Sequence, residues 1–588
     1  MHDRLPIKLS AREYRHCRLT VNPRGANLLS KEAAGRLTNM SHGAQETPKG
    51  SIIAATDSPS NAIQRVIGYH QETKHHFNRY ARALGYMDWA NQPNPFRRYE
   101  GAPLVPLPIL TPDEEPCSPA YDDLYQPGSV DSRPITIRTV SRFFEYALAL
   151  SAWKEAGGTR WALRSNPSSG NLHPTEGYLL IDGLAGLPPA PGLYHYAPKE
   201  HALERRADLS QTWFADVIKP FPPGAFFVAF TSIHWRESWK YGERAFRYCQ
   251  HDAGHAIGAA RIAAATLGWK MVVLDDLGDD QVAGLLGIDR DEDYPGVERE
   301  YPDCVAVVWS PTRDRAGPAA ETRGLLPLDI GEKTAQAIRD TIWYGKANRL
   351  SREKPDPWEI IDVVSAASWK PATNRGQVTF SESAPSAEVS SRRAEPVNDS
   401  LGRPLAGRII RQRRSALAFD GATHISADRF WVMLSRVLPR ADRSLQDRPM
   451  PWDAVPWNPA IHLAVFVHRV DGLQPGLYML VRDPTQYEVL RAAMHDDFLW
   501  ATPPGCPDDI PFFLLKAGDA RRLATQVSCH QEIAGDSAFS LGMIAEFESS
   551  LRRYGAWYYR RLFWETGVIG QVLYLEAEAA GVRATGIG

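Results

Sequence analysis

The sequence predicts an α+β fold laid down twice in one polypeptide, and three observations predict it. Residues 130–312 alternate helix-period stretches with short apolar, strand-like runs. A long segment then recurs: WKYGERAFRYCQHDAGHAIGAARIAAATLG (239–268) aligns without a gap on RRYGAWYYRRLFWETGVIGQVLYLEAEAAG (552–581), at a constant offset of 313. PGLY, at Pro191–Tyr194, returns at Pro475–Tyr478. So long a period excludes a solenoid and implies a duplicated domain. Two such copies in one chain can pack as an intrachain pseudo-dimer about a pseudo-two-fold axis.

In chain order, residues 1–60 are polar, basic and rich in Ser, Gly and Asn; they read as a disordered segment, with Met40 a second candidate start. Residues 61–129 form an N-terminal extension. Its helical spacing runs from Thr73 to Met87, and an aromatic, Pro-rich run from Asp88 to Pro103 is suited to packing on a domain surface. The first domain, 130–312, carries a predicted helix Thr139–Lys154 and a strand Gly177–Ile181. A tight turn at PAPGLYHYAP, a strand near Gly224–Ser232, a long helix Glu243–Leu267 and a closing strand Cys304–Trp309 follow. Residues 313–405 are a linker with a helix over Glu332–Trp343. Trp358 and Trp369 dock parts of it, and Pro, Ser, Glu and Arg dominate 371–405 without periodicity. The second domain spans 406–588.

Composition bounds the function. A chain of 588 residues holds two or three ordinary domains, and 43 % hydrophobic residues supply their cores. A net charge of −2 and a pI near 6.8 argue against a nucleic-acid partner. Six scattered cysteines show no C-x-x-C and no metal-ligand spacing, as expected of reduced thiols in a cytoplasmic protein. No apolar run is long enough for a membrane span, and the start, MHDRLPIKLSAREYRHCRL, has no apolar signal core.

Two motifs carry chemistry. RSNPSSGNLHPTEGYLL (164–180) sets two serines, a glycine and an asparagine directly before an apolar strand. Small residues allow close backbone approach to a flat ligand, although the same letters also make ordinary turns. RIIRQRRSALAF (408–419) holds Arg413-Arg414-Ser415, a bidentate grip for a phosphate or a plain solvated basic run.

PSSGNLHPTEGYLL, with GLYHY, WKYGERAFRY and DAGH, resembles the nitroreductase superfamily, and more narrowly the SagB/ThcOx-type dehydrogenases that include azoline oxidases of peptide natural-product pathways. The likeness covers about 65–312 and, more divergently, 405–588. It implies that each domain is nitroreductase-like, a mainly antiparallel sheet wrapped by helices, with FMN held between the two. It implies a ring cradle of Pro167, Ser168, Ser169, Gly170 and Asn171, with Arg164 just upstream. Arg413, Arg414 and Ser415 would grip the phosphate and ribityl chain, and the backbone of Gly586 and Gly588 would lie near flavin N5. Lys240 and Tyr241 match the proton-transfer pair of azoline oxidases; the plainer reading is a helix-start lysine beside a core tyrosine, as Arg553-Tyr554 at the same place in the repeat suggests.

The two copies are complementary. ITIRTVSRFF (135–144) has no Arg-Arg-Ser, and AVPWNPAIHLAVFV (454–467) has lost the Ser-Ser-Gly. Each copy keeps the half-site that the other lacks, so one complete flavin site and one decayed pseudo-site are expected per chain. Leu417 replaces a usual basic residue, and the ending ATGIG (584–588) leaves the expected last strand and its phosphate contact missing.

The leading function is therefore an FMN-dependent oxidoreductase with ping-pong hydride transfer at flavin N5, acting on a small molecule or on an azoline in a modified peptide. NAD(P)H-dependent nitro or quinone reduction is an alternative, with NAD(P)H or another electron partner. A flavin-poor scaffold that binds a peptide or partner enzyme is a second. A monomer without nucleic-acid or membrane partners is expected. His251 and His255 have zinc-ligand spacing, but HDAGH lacks the zincin glutamate, so packing or a pocket wall is their expected role.

Overall fold

The computed structural model describes residues 58–77, 79–111, 114–311, 335, 338–354, 356–373 and 403–587. Residues 1–57, nearly all of the predicted disordered segment, and most of the linker lie outside these residues. Of the predicted helix Glu332–Trp343, 335 and 338–343 are described, and its end is not helical, since Trp343 forms an antiparallel bridge with Ala207.

Helix α1 (Pro59–Thr73) starts where Ser58 Oγ accepts from Asn61 N and Pro59 takes the first turn. The helical spacing read from Thr73 to Met87 is not realised: α1 ends where that stretch begins. Arg244 and Arg247 both donate to Thr73 O, capping the chain there. Helix α2 (Ile137–Ala147) opens on a capping box between Thr136 and Thr139. It stops seven residues short of the predicted Lys154, because Leu150–Ala156 forms strand β3, paired with β4 (Thr159–Arg164). Gly157 and Gly158 supply the positive φ of their two-residue turn, +58° and +79°.

The first sheet has seven strands in the order β2-β7-β6-β5-β8-β10-β9, every neighbouring pair antiparallel. They are β2 (Leu104–Pro106), β5 (Thr175–Ile181), β6 (Gly192–Ala197), β7 (Ala202–Asp208), β8 (Phe226–Ser232), β9 (Lys270–Val273) and β10 (Tyr301–Trp309). The predicted strands at 177, 224 and 304 are thus β5, β8 and β10. The stretch expected to be one tight turn is instead β6, and β7 follows it. β5, β6 and β8 are buried at every position, so they show no period-two alternation to read. Helices α3 (Gln211–Ile218) and α6 (Asp279–Leu286) pack on one face. The other meets α5 (Ala245–Thr266), which follows α4 (His234–Tyr241).

Helix α7 (Glu359–Ala367) leads to Trp369 and Lys370, which bond Asp280 and Asp279 at the start of α6. Beyond it come α8 (Ala406–Gln412) and α9 (Ala427–Arg436). A four-stranded antiparallel sheet follows, in the order β14-β13-β12-β15. Its strands are β12 (Ile461–Val467), β13 (Gly476–Leu480), β14 (Phe512–Ala517) and β15 (Phe539–Ala545), and α13 (Phe547–Tyr554) and α14 (Tyr558–Ala579) follow. Here β8, α4 and α5 recur at the sequence offset of 313 with identical bounds, as β15, α13 and α14. Helices α5 and α14 lie against each other, and one continuous core takes residues from both halves. No helix among the described residues is long and apolar enough to cross a membrane. The architecture is a mixed α+β fold with open antiparallel sheets, as the sequence predicts.

Candidate functional site

The turn between β4 and β5 is braced by its own polar groups. Ser168 Oγ accepts from His173 N at 2.8 Å, and Asn171 Nδ2 donates to Ala162 O at 2.8 Å. Ser169 donates from N and from Oγ, each at 3.0 Å, to Asp252 Oδ1 on α5. Gly170 and Asn171 take φ of +57° and +60°, which glycine and asparagine tolerate. The hydroxyls and the asparagine thus hold a left-handed turn with its Gly170 tip outward, while Pro167 is buried beneath it.

Lys240 and Tyr241 close α4 beside that tip. A carbon built on Gly170 falls 2.7 Å from Tyr241 Oη and 3.1 Å from Lys240 Nζ, so a side chain there would have to displace those two ends, and the positive φ also favours glycine. The extension runs close behind: a carbon on Gly242 would fall 2.5 Å from Arg82 O. Burial pushes the Tyr241 hydroxyl up and lifts the Asp252 carboxyl to about 7.

The second half meets this turn directly. Arg413, buried at the end of α8, donates from Nε to Ser165 O at 3.2 Å and from Nη2 to Arg164 O at 3.1 Å. Arg414 reaches the hairpin, donating to Ser151 Oγ at 3.3 Å. Ser415 Oγ lies 3.0 Å from Tyr574 Oη on α14, and Ser415 pairs with Ala584 in a parallel bridge. That bridge brings the last residues in, so that Gly586 N donates to Tyr574 Oη at 2.7 Å. Gly588 lies outside the described residues.

The arginine motif and the serine turn therefore form one wall, with different jobs for its members. Arg413 is committed to two main-chain carbonyls and to the Tyr574 ring, 5.2 Å from its guanidinium. Arg164 is buried and tied to Pro95 O, which fastens the extension. Arg414 is half-buried, and burial, then the charge of Arg583, depresses it. The Lys154 amine is held down by burial, then by Arg414, Arg413 and Arg583. Four cations thus converge with Glu578 as the acid that faces Arg414 and Arg583, a field that favours an anion with more than one charge.

Sequence reasoning missed Asp252 as the clamp of the turn, Tyr574 as the hub of the second-half motif, and Lys154 and Arg583 as members of the cation cluster. Only Asp252 left a signal, an acid kept at both copies opposite Glu565. The histidines are placed as packing groups: His251 Nδ1 lies 2.6 Å from Thr566 Oγ1, and His255 packs edge-on to Tyr574.

Whether the wall fits a flavin mononucleotide is tested by what it leaves over. Arg164 Nε, Asn166 Oδ1 and His255 Nδ1 are buried without hydrogen-bond partners among the described residues. The exposed Gly170 tip carries no side chain, and the cation cluster suits a phosphate dianion. The residues fit.

Residues 130–297 match the family model described as Nitroreductase family. A curated protein of Methanocaldococcus jannaschii that carries the name nitroreductase is 26 % identical over 170 residues, covering 28 % of this chain and 79 % of that protein. A crystal structure from Anabaena variabilis, also titled a nitroreductase, superposes with a TM-score of 0.56 at 19 % identity, over 88 % of this chain and 92 % of its own. That likeness establishes the fold across both halves. A chain of an E. coli microcin synthetase complex is similar over 44 % of this chain and 96 % of its own, at 17 % identity and a TM-score of 0.26, too weak a likeness to inform chemistry.

Proposed function

We propose that this protein is an FMN-dependent oxidoreductase made of two nitroreductase-like domains, 130–312 and 406–588, which share one cofactor across their interface. The observation that carries the reading is the pair of hydrogen bonds from Arg413 to Ser165 O and Arg164 O, which joins the second domain's arginine motif to the first domain's serine turn. The family match over 130–297 supports it.

In this reading Arg414, with Arg583 and Lys154, holds the phosphate, and Ser415 with Tyr574 lines the ribityl side. The turn Pro167–Asn171, braced by Asp252, and the backbone N–H of Gly586 would supply the contacts to the flavin ring. The chemistry that FMN supplies when bound is reversible two-electron acceptance. The chain supplies position and protons. Lys240 and Tyr241, side by side at the turn, are the groups that take a proton from the substrate or return it. With the likeness of this pair to azoline oxidases, the favoured substrate is a thiazoline or oxazoline in a modified peptide.

The repeat argues for one cofactor per chain. Glu565, which aligns with Asp252, likewise accepts from a main-chain donor, Ala460 N at 2.9 Å. Its other oxygen is taken by the fully buried Arg482, and Arg561 stacks against Trp564 and Trp457, 3.9 and 5.0 Å from their ring centres. Side chains fill what the first copy leaves open.

The test is the purified protein itself. It should be yellow, release FMN on denaturation at one per chain, and lose it on loss of the Arg414 guanidinium. A preparation that stays colourless after addition of FMN overturns the reading. A second reading, reduction of nitro or quinone compounds, draws on the name carried by the M. jannaschii relative. Rapid bleaching of the flavin by NADPH, with none by an azoline peptide, would favour it.

A further inference from the structure

Behind the Lys240–Tyr241 pair lies a side chain that the reading above does not use. Glu237, on α4, is 0 % exposed, and neither of its carboxyl oxygens has a hydrogen-bond partner among the described residues. The cations nearby do not claim it. Arg236 gives Nε to Asn94 O and Nη1 to His173 O and Glu176, and its Nη2, itself buried without a partner, makes no hydrogen bond to Glu237. Facing it across the helix pair are Asp252 and Cys249 of α5; on its own helix stand Arg236, Lys240 and Tyr241. Asp252 is occupied by the serine turn, through Ser169 N and Oγ.

A carboxylate in this place has lost its water and gained no donor, so burial, then the nearby Asp252, keeps it in the acid form while Lys240 and Arg236 pull the other way. Residues three and four apart on a helix share a face, which puts Lys240 and Tyr241 one turn ahead of Glu237 on the same side. Their ends meet the Gly170 tip. A buried carboxyl without a hydrogen-bond partner, pushed towards its acid form by burial, thus stands one helical turn behind the two groups assigned to proton transfer.

We infer that Glu237 is a positioning residue for the proton of this site, an internal acid that lends its proton to the Lys240 amine and takes it back. In the lending step the Glu237 O–H bond breaks and an N–H bond forms on Lys240, leaving a carboxylate beside an ammonium; the return reverses both, and no electrons move. Lys240 thereby receives a counterion only when charged. The catalytic use of this exchange rests on the flavin-site reading, whereas the state of the carboxyl does not.

Infrared difference spectra between wild type and Glu237→Gln, an isostere of the neutral acid, test the carboxyl without any cofactor. A protonated-carboxyl band present at neutral pH should vanish in the variant. Lys240→Met, at an exposed position, should move the pH at which that band fades upward, since it removes a cation that favours the anion. In FMN-loaded protein, Glu237→Gln should keep its colour and KM while kcat falls by roughly tenfold or more and its pH dependence flattens. No band lost in Glu237→Gln, a band indifferent to Lys240→Met, or a loaded variant with the wild-type pH profile would each overturn the inference. A colourless protein that shows both infrared effects would defeat the flavin reading and leave the acid's coupling to Lys240 standing.

Discussion

Gly254 and Gly567 face one another where α5 crosses α14: a carbon built on Gly567 falls 2.7 Å from Gly254 Cα, and one built on Gly254 falls 2.7 Å from Trp564 Cα. The two glycines are equivalent in the repeat. Each lets its helix touch the other's main chain, so the contact is isologous, like that of a two-fold dimer. It sets the distance between the halves, and hence between Arg413 and the turn it grips.

Gly567→Ala should therefore destabilise the protein although alanine favours helices. The propensity gain is about 1 kcal/mol. The added carbon meets main-chain atoms that cannot rotate away, and overpacking, typically about 1–3 kcal/mol, falls at the upper end where backbone must move. A lowered thermal midpoint is expected. A midpoint unchanged or raised would show that the helices part easily.

Neighbouring arginines should differ in effect. Arg414→Ala removes a half-buried cation from a cluster of like charges. It should leave the midpoint nearly unchanged and weaken FMN retention by about 1.5–3 kcal/mol, the worth of a hydrogen bond to a charged group, read from FMN fluorescence on dilution. Arg413→Ala strips two buried carbonyls of their donor and should lower the midpoint as well. Equal effects on both readouts would refute the division of labour.

Much of this was legible in the sequence, for identifiable reasons. The repeat set the long helix α5 against α14, because the aligned copies 239–268 and 552–581 reinforce one pattern. The serine turn was readable because small and hydrogen-bonding residues cluster directly before an apolar strand. Strands β6 and β7 were not, since fully buried strands lose the alternation that marks them, and the β3–β4 hairpin hid because LSAWKEA also suits a helix. Within the site, Tyr574 was invisible: a tyrosine inside a helix carries no local sign that a serine 159 residues earlier will bond to it.

Stability should depend on pH through two buried groups of opposite charge type. Burial opposes a charged His195, but Glu176 and Glu204, at 3.0 and 2.8 Å from its ring nitrogens, outweigh it and lift His195 to about 9. A folded-state value above the unfolded one means a contribution fully present below about pH 6.5 and lost as pH rises through about 9. Asp252, raised to about 7, contributes stability that is complete below about pH 4 and lost as pH climbs through 7. Denaturant midpoints should thus fall from pH 5 towards pH 10. Asp252→Asn should flatten the acidic half of that fall, and His195→Gln the alkaline half; a variant that keeps its half of the slope clears its residue of that role.

Lys240 gives the last and most direct test of chemistry. Its ammonium lies at the surface end of α4, 5.1 Å from the Tyr241 ring centre and next to the Gly170 tip. It takes no part in the buried cores, so Lys240→Ala should fold with an unchanged midpoint and retain FMN. If it moves the substrate proton, turnover should drop by about 100-fold or more, within the range that a positioned acid or base supplies. Tyr241→Phe should cost less, because the ring still packs tilted against Tyr248, 4.4 Å between ring centres, and only the hydroxyl is lost. Lys240→Arg distinguishes charge from proton transfer: a guanidinium restores the charge but does not deprotonate, so it should not rescue turnover. Full activity in Lys240→Ala, measured on an azoline peptide under conditions where the flavin reoxidises freely, would exclude the lysine as the base and return it to the role of a solvated helix terminus.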